Sequence, residues 1–99
     1  MVMFNPPHPG EFISGVYLVP YSVSGRQLAE QLDVAASTLN RLLKGQSGVS
    51  PEMALRLSKS LGRSAESWLA MQLNYDLWQA RKTVRLGKVK KLSFDSVPA

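Results

Sequence analysis

Apolar residues recur at helical spacing in five separate stretches of this chain, which predicts five helices. The first stretch follows a proline-rich segment, residues 1–9. Pro9 suits the first position of a helix and Glu11 suits its positive end, and the predicted buried face comprises Phe12, Val16 and Tyr17. This helix must end before Pro20, because proline lacks the amide hydrogen that continues a helix.

The second and third stretches are short and lie on either side of a tight turn. Ser24 is a good N-cap for a helix over residues 25–32, whose apolar stripe is Leu28, Ala29 and Leu32. The predicted turn is Asp33-Val34-Ala35. The third helix is predicted from Ala36 to Lys44, with Gly45 as its C-cap, and its stripe is Leu39, Leu42 and Leu43.

Capping residues in the sequence mark the ends of the last two helices. The segment Ser50-Pro51-Glu52 supplies an N-cap, a first-position proline and an acid in the first turn, and Gly62 closes this fourth helix; its apolar positions are Met53, Ala54, Leu57 and Leu61. Ser64 opens the fifth helix, which is predicted to reach about Arg81; its periodic apolar positions are Trp68, Leu69, Leu73 and Leu77.

The helical pattern weakens after Lys82, and residues 83–99 fit a short strand and a mobile arm equally well. The two short helices at a tight turn have the layout of a helix-turn-helix, whose second helix enters the major groove of DNA. The predicted fold is therefore all-α: a five-helix, repressor-like helix-turn-helix domain over residues 1–82, with an aromatic fifth helix, followed by a short basic C-terminal tail over residues 83–99.

Composition narrows the class of protein. The 99 residues suffice for one domain, and 44% hydrophobic with 19% charged residues is typical of a globular chain. No apolar run approaches a membrane span and no export signal is visible, so we expect a cytoplasmic protein that does not contact a membrane. With no cysteine and one histidine, we expect no disulfide, no metal site, no cofactor and no catalytic residues, hence no enzyme.

The net charge of +5 is unevenly placed along the chain. Basic and acidic residues balance up to Asp76. The excess lies near the C-terminus, where Asp95 alone opposes Arg81, Lys82, Arg85, Lys88, Lys90 and Lys91. A basic tail by itself says little about nucleic-acid binding, so the helix-turn-helix pattern carries that inference.

The outward residues of the predicted third helix are mostly short and polar, which suits a helix that reads DNA. Arg41 is the first choice for specificity, because a guanidinium can make a bidentate contact with guanine. Ser37 and Asn40 are weaker candidates for base contacts, and Ala36 can meet only a thymine methyl group.

Contacts with the DNA backbone are predicted around these residues. The amides of Gly25 and Arg26 start the second helix and form an anion site for a phosphate, assisted by the Arg26 side chain. The other predicted DNA-binding residues are Ser24, Gln27, Thr38, Lys44, Gln46 and Ser47. The alternative is a three-helix scaffold whose exposed basic residues are merely solvated.

Large aromatic side chains are concentrated in the fifth helix. Trp68, Tyr75 and Trp78 lie near one face of it, and a core of this size is too small to bury all three. Trp68 fits core and interface equally well. Tyr75 and Trp78 are predicted to form an interface with a second subunit or another protein. His8, beside three prolines, is interpreted as a helix-start residue and not as a catalyst.

Several segments together resemble the HigA-type antitoxins, within the larger class of phage-repressor-like helix-turn-helix proteins. They are His8-Pro9-Gly10-Glu11, Ser37-Thr38 with Lys44-Gly45, Ser50-Pro51-Glu52-Met53-Ala54-Leu55-Arg56-Leu57, and Trp68-Leu69 with Tyr75-Asp76-Leu77-Trp78-Gln79-Ala80. The resemblance covers residues 8–82. The helix-turn-helix alone indicates only the larger class, whereas the last two segments are specific.

The resemblance implies a homodimer that binds a palindromic double-stranded operator in its own promoter. It also implies a cognate toxin, a HigB- or RelE-like mRNA endonuclease, so that Tyr75 and Trp78 would face the second subunit or the toxin. This chain departs from the family at two positions: Ala35 replaces the usual Ser or Thr cap of the recognition helix, and Ala36 replaces a longer polar residue. The tail after Lys82 lies outside the shared pattern.

Two other functions remain compatible with the sequence. A stand-alone repressor without a toxin shares every feature described above, and the neighbouring reading frame would distinguish it from an antitoxin. A protein-interaction adaptor that keeps the helix-turn-helix only as a scaffold would lack salt-dependent DNA binding.

Overall fold

The computed structural model describes residues 5–95, and within that range it contains helices and no strand. The elements are α1 (Pro9–Ile13), which continues into a π-helical turn (Ser14–Leu18), α2 (Gly25–Leu32), α3 (Ala36–Leu43), α4 (Pro51–Leu61) and α5 (Ala65–Thr83). The predicted all-α, five-helix fold is confirmed. The ends of the predicted tail and N-terminal segment, residues 96–99 and 1–4, lie outside the described residues.

Side chains cap the starts of four helices. Their hydrogen bonds each satisfy an amide that the helix itself leaves without a partner, at 2.9 Å for His8 Nδ1, 3.1 Å for Ser24 Oγ, 3.1 Å for Ser50 Oγ and 3.0 Å for Ser64 Oγ. A cap of this kind contributes about 1 kcal/mol. The interpretation of His8 as a helix-start residue is therefore confirmed.

The predicted buried face of the first helix is wrong at Val16, which is 43% exposed. The backbone widens into a π turn after Ile13, and the amide of Val19 donates to the carbonyl of Ser14 at 2.9 Å. In a π turn the hydrogen bonds join residues five positions apart and each turn holds more residues than an α-helical turn, so that Ile13 and Leu18 share the buried face. An assumed period of 3.6 residues placed Val16 there instead.

A single apolar core lies among the helices. Trp68 of α5 is fully buried in it, and the indole Nε1 donates to the carbonyl of Gly62 at 3.1 Å. This resolves the alternative for Trp68 in favour of the core. The other large, fully buried hydrophobic side chains are Ile13, Leu39, Leu42 and Leu57.

The fifth helix extends beyond the core. Leu73 and Leu77, which continue its apolar period, are 57% and 40% exposed. Residues 84–95 then run as irregular, exposed chain with a turn at residues 87–88, so the described part of the tail is not the short strand that the sequence allowed. Among residues 5–95, no helix is both long enough and apolar enough to span a membrane.

Candidate nucleic-acid interface

The outer face of α3 carries the residues predicted to read DNA bases. The inner face of the helix is buried through Leu39 and Leu42. Thr38 is half-buried, and the exposed residues are Ala36, Ser37, Asn40 and Arg41. The N-cap residue, Ala35, makes no side-chain hydrogen bond, so no side chain covers the first amides of this helix. The outer face of α3 is therefore open to solvent from its first turn.

The start of α2 lies beside this face. Gly25 and Arg26 line a cleft of about 330 Å³ together with Ala36, Ser37, Asn40 and Leu43. A Cβ atom at Gly25 would stand 3.4 Å from the Leu43 side chain, so the two helices meet closely here. The structure thus brings the predicted phosphate site together with three of the predicted base-reading residues, Ala36, Ser37 and Asn40; Arg41 does not line this cleft.

Ser24 and Gln27, two predicted DNA-binding residues, also hold the start of α2. The amide of Gln27 donates to Ser24 Oγ at 3.1 Å, and the amide of Ser24 donates to Gln27 Oε1 at 2.8 Å. This reciprocal capping box fixes both side chains at the N-terminus of the helix. A contact of either residue with DNA would therefore come from a preorganised side chain.

The loop after α3 continues the surface at the other end of that helix. Its three polar residues predicted to contact the DNA backbone, Lys44, Gln46 and Ser47, are all exposed. Gly45 turns the chain with φ +74°, a left-handed conformation that favours glycine. The loop ends at the buried residue Val49, whose amide donates to the side chain of Gln72 in α5 at 2.9 Å.

Arg56 of α4 holds the end of α2, where the turn to α3 begins. Its guanidinium donates to the carbonyl oxygens of Leu32 and Asp33 at 2.8 and 3.1 Å, at the end of α2. Asp33 itself has φ 57°, so it is the left-handed residue that ends the helix and begins the turn. These bonds satisfy carbonyl groups that the helix leaves unpaired and hold the turn in one conformation.

Three residues that shape the surface were not identified from the sequence in this role: Gly10, Arg56 and Gln72. Gly10 packs against the backbone of Leu42 in α3, Arg56 bonds the end of α2, and Gln72 bonds the loop after α3. Each contact spans more than twenty residues, and no local pattern in the sequence records it. Gly10 and Arg56 do belong to the segments that resemble antitoxins, which is the one signal that singled them out.

Positive charge on this surface is not neutralised within the described residues. Among residues 5–95 the ion pair that forms lies within α4, between Arg56 and Glu52 at 3.2 Å. Arg26, Arg41 and Lys44 are all exposed and form no ion pair with any residue from 5 to 95. Three cationic side chains thus surround the outer face of α3, where a polyanion would be attracted.

Tyr75 and Trp78 are half-buried on α5. Tyr75 packs edge-on against His8, with 4.9 Å between ring centroids, and the Lys82 ammonium lies 3.3 Å from the ring centroid of Trp78. Both aromatic residues line a cleft of about 520 Å³ that also includes Lys44. The predicted interface residues are therefore close to the loop that follows α3.

Two short helices at a fixed angle, the second open to solvent and flanked by cations, define the helix-turn-helix class of DNA-binding fold. The family model for helix-turn-helix proteins matches residues 20–68 of this chain. The uncharacterized HTH-type transcriptional regulator YddM of Escherichia coli K12 is 39% identical over 92 residues, which is 93% of this chain and 97% of that protein.

Solved structures of similar chains indicate the same helix-turn-helix class. The antitoxin HigA of Pseudomonas aeruginosa, in a structure with the higBA promoter, is 36% identical with a TM-score of 0.75 over 79% of this chain and 85% of that one. The antitoxin GraA is 38% identical with a TM-score of 0.84 over 91% and 99%. The chain therefore belongs to the helix-turn-helix family of DNA-binding regulators, in the group that includes the HigA antitoxins. This is not a family of enzymes.

Proposed function

We propose that this protein is an antitoxin that represses its own operon. A homodimer binds a palindromic operator through two copies of α3, and a second surface neutralises a RelE-like mRNA endonuclease encoded in the same operon. The observation that carries the proposal is the group of exposed cations without ion pairs, Arg26, Arg41 and Lys44, around the open face of α3. The complex of the related HigA with its promoter supports the same mode of binding.

In this proposal the surface has two parts. Arg41 reads a base pair, with Ser37 and Asn40 beside it, while the start of α2 and the loop after α3 hold the sugar-phosphate backbone. Phosphate contacts position the protein and base contacts give it specificity. Residues 1–82 form the DNA-binding domain, and residues 83–99 are a separate arm.

The toxin-binding part of the proposal rests on α5. Tyr75 and Trp78 keep part of their ring area exposed, and Leu73 and Leu77 expose apolar side chains on another face of the same helix. Large aromatic side chains at partly exposed positions are typical of protein interfaces. We propose that this helix serves the second subunit, the toxin or both.

Fluorescence anisotropy tests the DNA-binding part. The labelled probe is the chain's own promoter region, and a random duplex of the same length is the competitor; we expect the promoter to bind roughly 1000-fold tighter or better. The variant Arg26→Ala/Lys44→Ala should weaken binding on both duplexes. The matched control Lys59→Ala/Arg81→Ala removes the same charge elsewhere and should leave binding nearly unchanged. Equal affinity of the wild-type protein for both duplexes would refute sequence-specific repression.

A stand-alone repressor is the second candidate, because the relative YddM, which this chain matches over nearly its whole length, is named a transcriptional regulator. Co-expression with the neighbouring reading frame separates the two functions. An antitoxin should relieve the growth arrest caused by the neighbour's product and should co-purify with it. A protein that binds the promoter but neither relieves growth arrest nor co-purifies with the neighbour's product would be a stand-alone repressor.

A further inference from the structure

We infer that Gln72 of α5 is a positioning residue for DNA binding: it holds the loop of residues 45–49 in the conformation from which Gln46 and Ser47 reach the DNA backbone. This inference rests on the proposed function. Gln72 itself lies outside the helix-turn-helix and on a different helix from every residue predicted to touch DNA. Its effect is therefore exerted through the loop.

The first observation is a hydrogen bond between distant parts of the chain. The backbone amide of Val49 donates to Gln72 Oε1 at 2.9 Å, across 23 residues of sequence. The side chain of Val49 is buried, so this end of the loop is anchored both by packing and by the glutamine. At its other end the loop is tied to α3, where the amide of Gln46 donates to the carbonyl of Arg41 at 2.9 Å.

The second observation is the close approach of Gly48. A Cβ atom at this glycine would stand 3.0 Å from Cδ of Gln72 and 3.1 Å from the two terminal atoms of its amide. The amide plane therefore lies directly on the backbone of Gly48. Two successive loop residues, Gly48 and Val49, are thus held by the same side chain.

The third observation explains why the side chain is a glutamine. Its Nε2 donates to Oδ1 of Asp76 at 2.9 Å, which turns Oε1 towards the Val49 amide. An amide side chain offers a donor, Nε2, and an acceptor, Oε1, on two atoms that are bonded to the same carbon, and Gln72 uses both. Methionine at this position would fill a similar volume but provide neither group.

Loop order matters for binding because disordered residues lose conformational entropy when they contact DNA. A loop fixed before binding avoids much of that cost. Gln46 and Ser47 are both exposed; Gln46 is the anchored residue at the α3 end, and Ser47 lies between the two anchors. Release of the Val49 anchor would leave the loop attached at the α3 end alone.

The test is the variant Gln72→Met, measured by anisotropy on promoter and random DNA. We expect roughly three- to tenfold weaker binding on both, the effect of about one lost hydrogen bond. The slope of log affinity against log salt should not change, because Gln46 and Ser47 are uncharged. Gln31→Met is the matched control, because Gln31 is exposed near the end of α2, away from the predicted phosphate site at its start, and this variant should leave DNA binding unchanged.

Two further measurements separate positioning from a general loss of structure. In a Gln46→Ala/Ser47→Ala background the effect of Gln72→Met should largely disappear, because the contacts it positions are already gone. Hydrogen exchange of the Val49 amide should accelerate in Gln72→Met. The combined variant Gln72→Glu/Asp76→Asn exchanges the amide and the carboxylate and should restore binding to within about twofold of wild type, because the Val49 amide keeps its acceptor and the bond between positions 72 and 76 can form with donor and acceptor reversed.

The inference is wrong if wild-type protein binds the promoter and Gln72→Met binds equally well, or if the loss persists undiminished without the Gln46 and Ser47 side chains. Failure of the exchanged pair to restore binding would also contradict it. Should Gln72→Met fail to fold, Gln72→Ala removes the same amide group with a smaller side chain, and normal affinity of that variant would overturn the inference. Failure of wild-type protein to bind its promoter would instead refute the proposed function.

Discussion

Gly10 of α1 lies directly against the backbone carbonyl of Leu42 in α3. A Cβ atom at Gly10 would overlap the carbonyl oxygen, and would stand 2.8 Å from the carbonyl carbon and 2.9 Å from Cα of Leu43. These neighbours are backbone atoms, which cannot rotate away as a side chain would. The contact therefore sets how closely the recognition helix sits on the first helix.

We predict that Gly10→Ala lowers the free energy of unfolding by about 1 to 3 kcal/mol, because α1 and α3 must separate to admit the methyl group. Chemical denaturation measures this value. The control is Gly15→Ala, where a Cβ atom meets nothing within 4 Å and the substitution should be neutral or slightly stabilising. Equal destabilisation by both variants would show that the Leu42 contact is not responsible.

Arg41→Ala should weaken promoter binding by roughly 1 to 3 kcal/mol and relax the preference at one base pair in each half-site. Its guanidinium is exposed one turn into α3, where a bidentate contact with guanine is possible. Competition with promoter variants altered at single base pairs gives the measurement, and Lys59→Ala is the matched control. An equal loss on promoter and random DNA would identify Arg41 as a phosphate contact instead.

Dimerisation through α5 predicts that Leu73→Glu converts the protein to a monomer at micromolar concentration, because a charge would then be buried between two apolar surfaces. Sedimentation equilibrium measures the mass. Leu55 of α4 is a similarly exposed leucine at 65%, and Leu55→Glu should leave the dimer intact. A dimer should protect two half-sites on the DNA, separated by about one helical turn or a multiple of one turn. A wild-type protein that is monomeric and protects a site that is not palindromic would refute dimerisation.

Deletion of residues 84–99 leaves α5 complete and tests the role of the tail. If its basic residues contact phosphates, the slope of log affinity against log salt should decrease by about 0.9 for each lost contact. We expect instead an unchanged slope and loss of toxin or subunit binding, because the tail also exposes the apolar side chains of Val84, Leu86, Val89, Leu92 and Phe94. Normal behaviour in both assays would assign the tail neither role.

Features that depend on neighbouring residues could be predicted from the sequence. Ser24, Ser50 and Ser64 start their helices as expected, because a cap is a contact with an amide three residues away. Val16 was placed wrongly because the prediction assumed α-helical spacing, and nothing in the local sequence signals that the backbone widens there.

Features that depend on distant residues could not be predicted in the same way. The anchor of Val49 on Gln72 and the contact of Gly10 with Leu42 exist only once the helices have packed. The candidate DNA-binding residues could be chosen from type and spacing on α2 and α3. Their support from α1, α4 and α5 required the structure.

The two tryptophans occupy environments so different that each can serve as a separate optical probe. Trp68 is fully buried and hydrogen-bonded to Gly62, whereas Trp78 is half-buried beneath the Lys82 ammonium. A water-soluble quencher such as acrylamide should therefore reach Trp78 and not Trp68 in the native protein. In Trp78→Phe the emission would follow exposure of the core on unfolding, and in Trp68→Phe it would follow the arrival of a molecule that covers Trp78, so folding and association can be followed by fluorescence without an attached label.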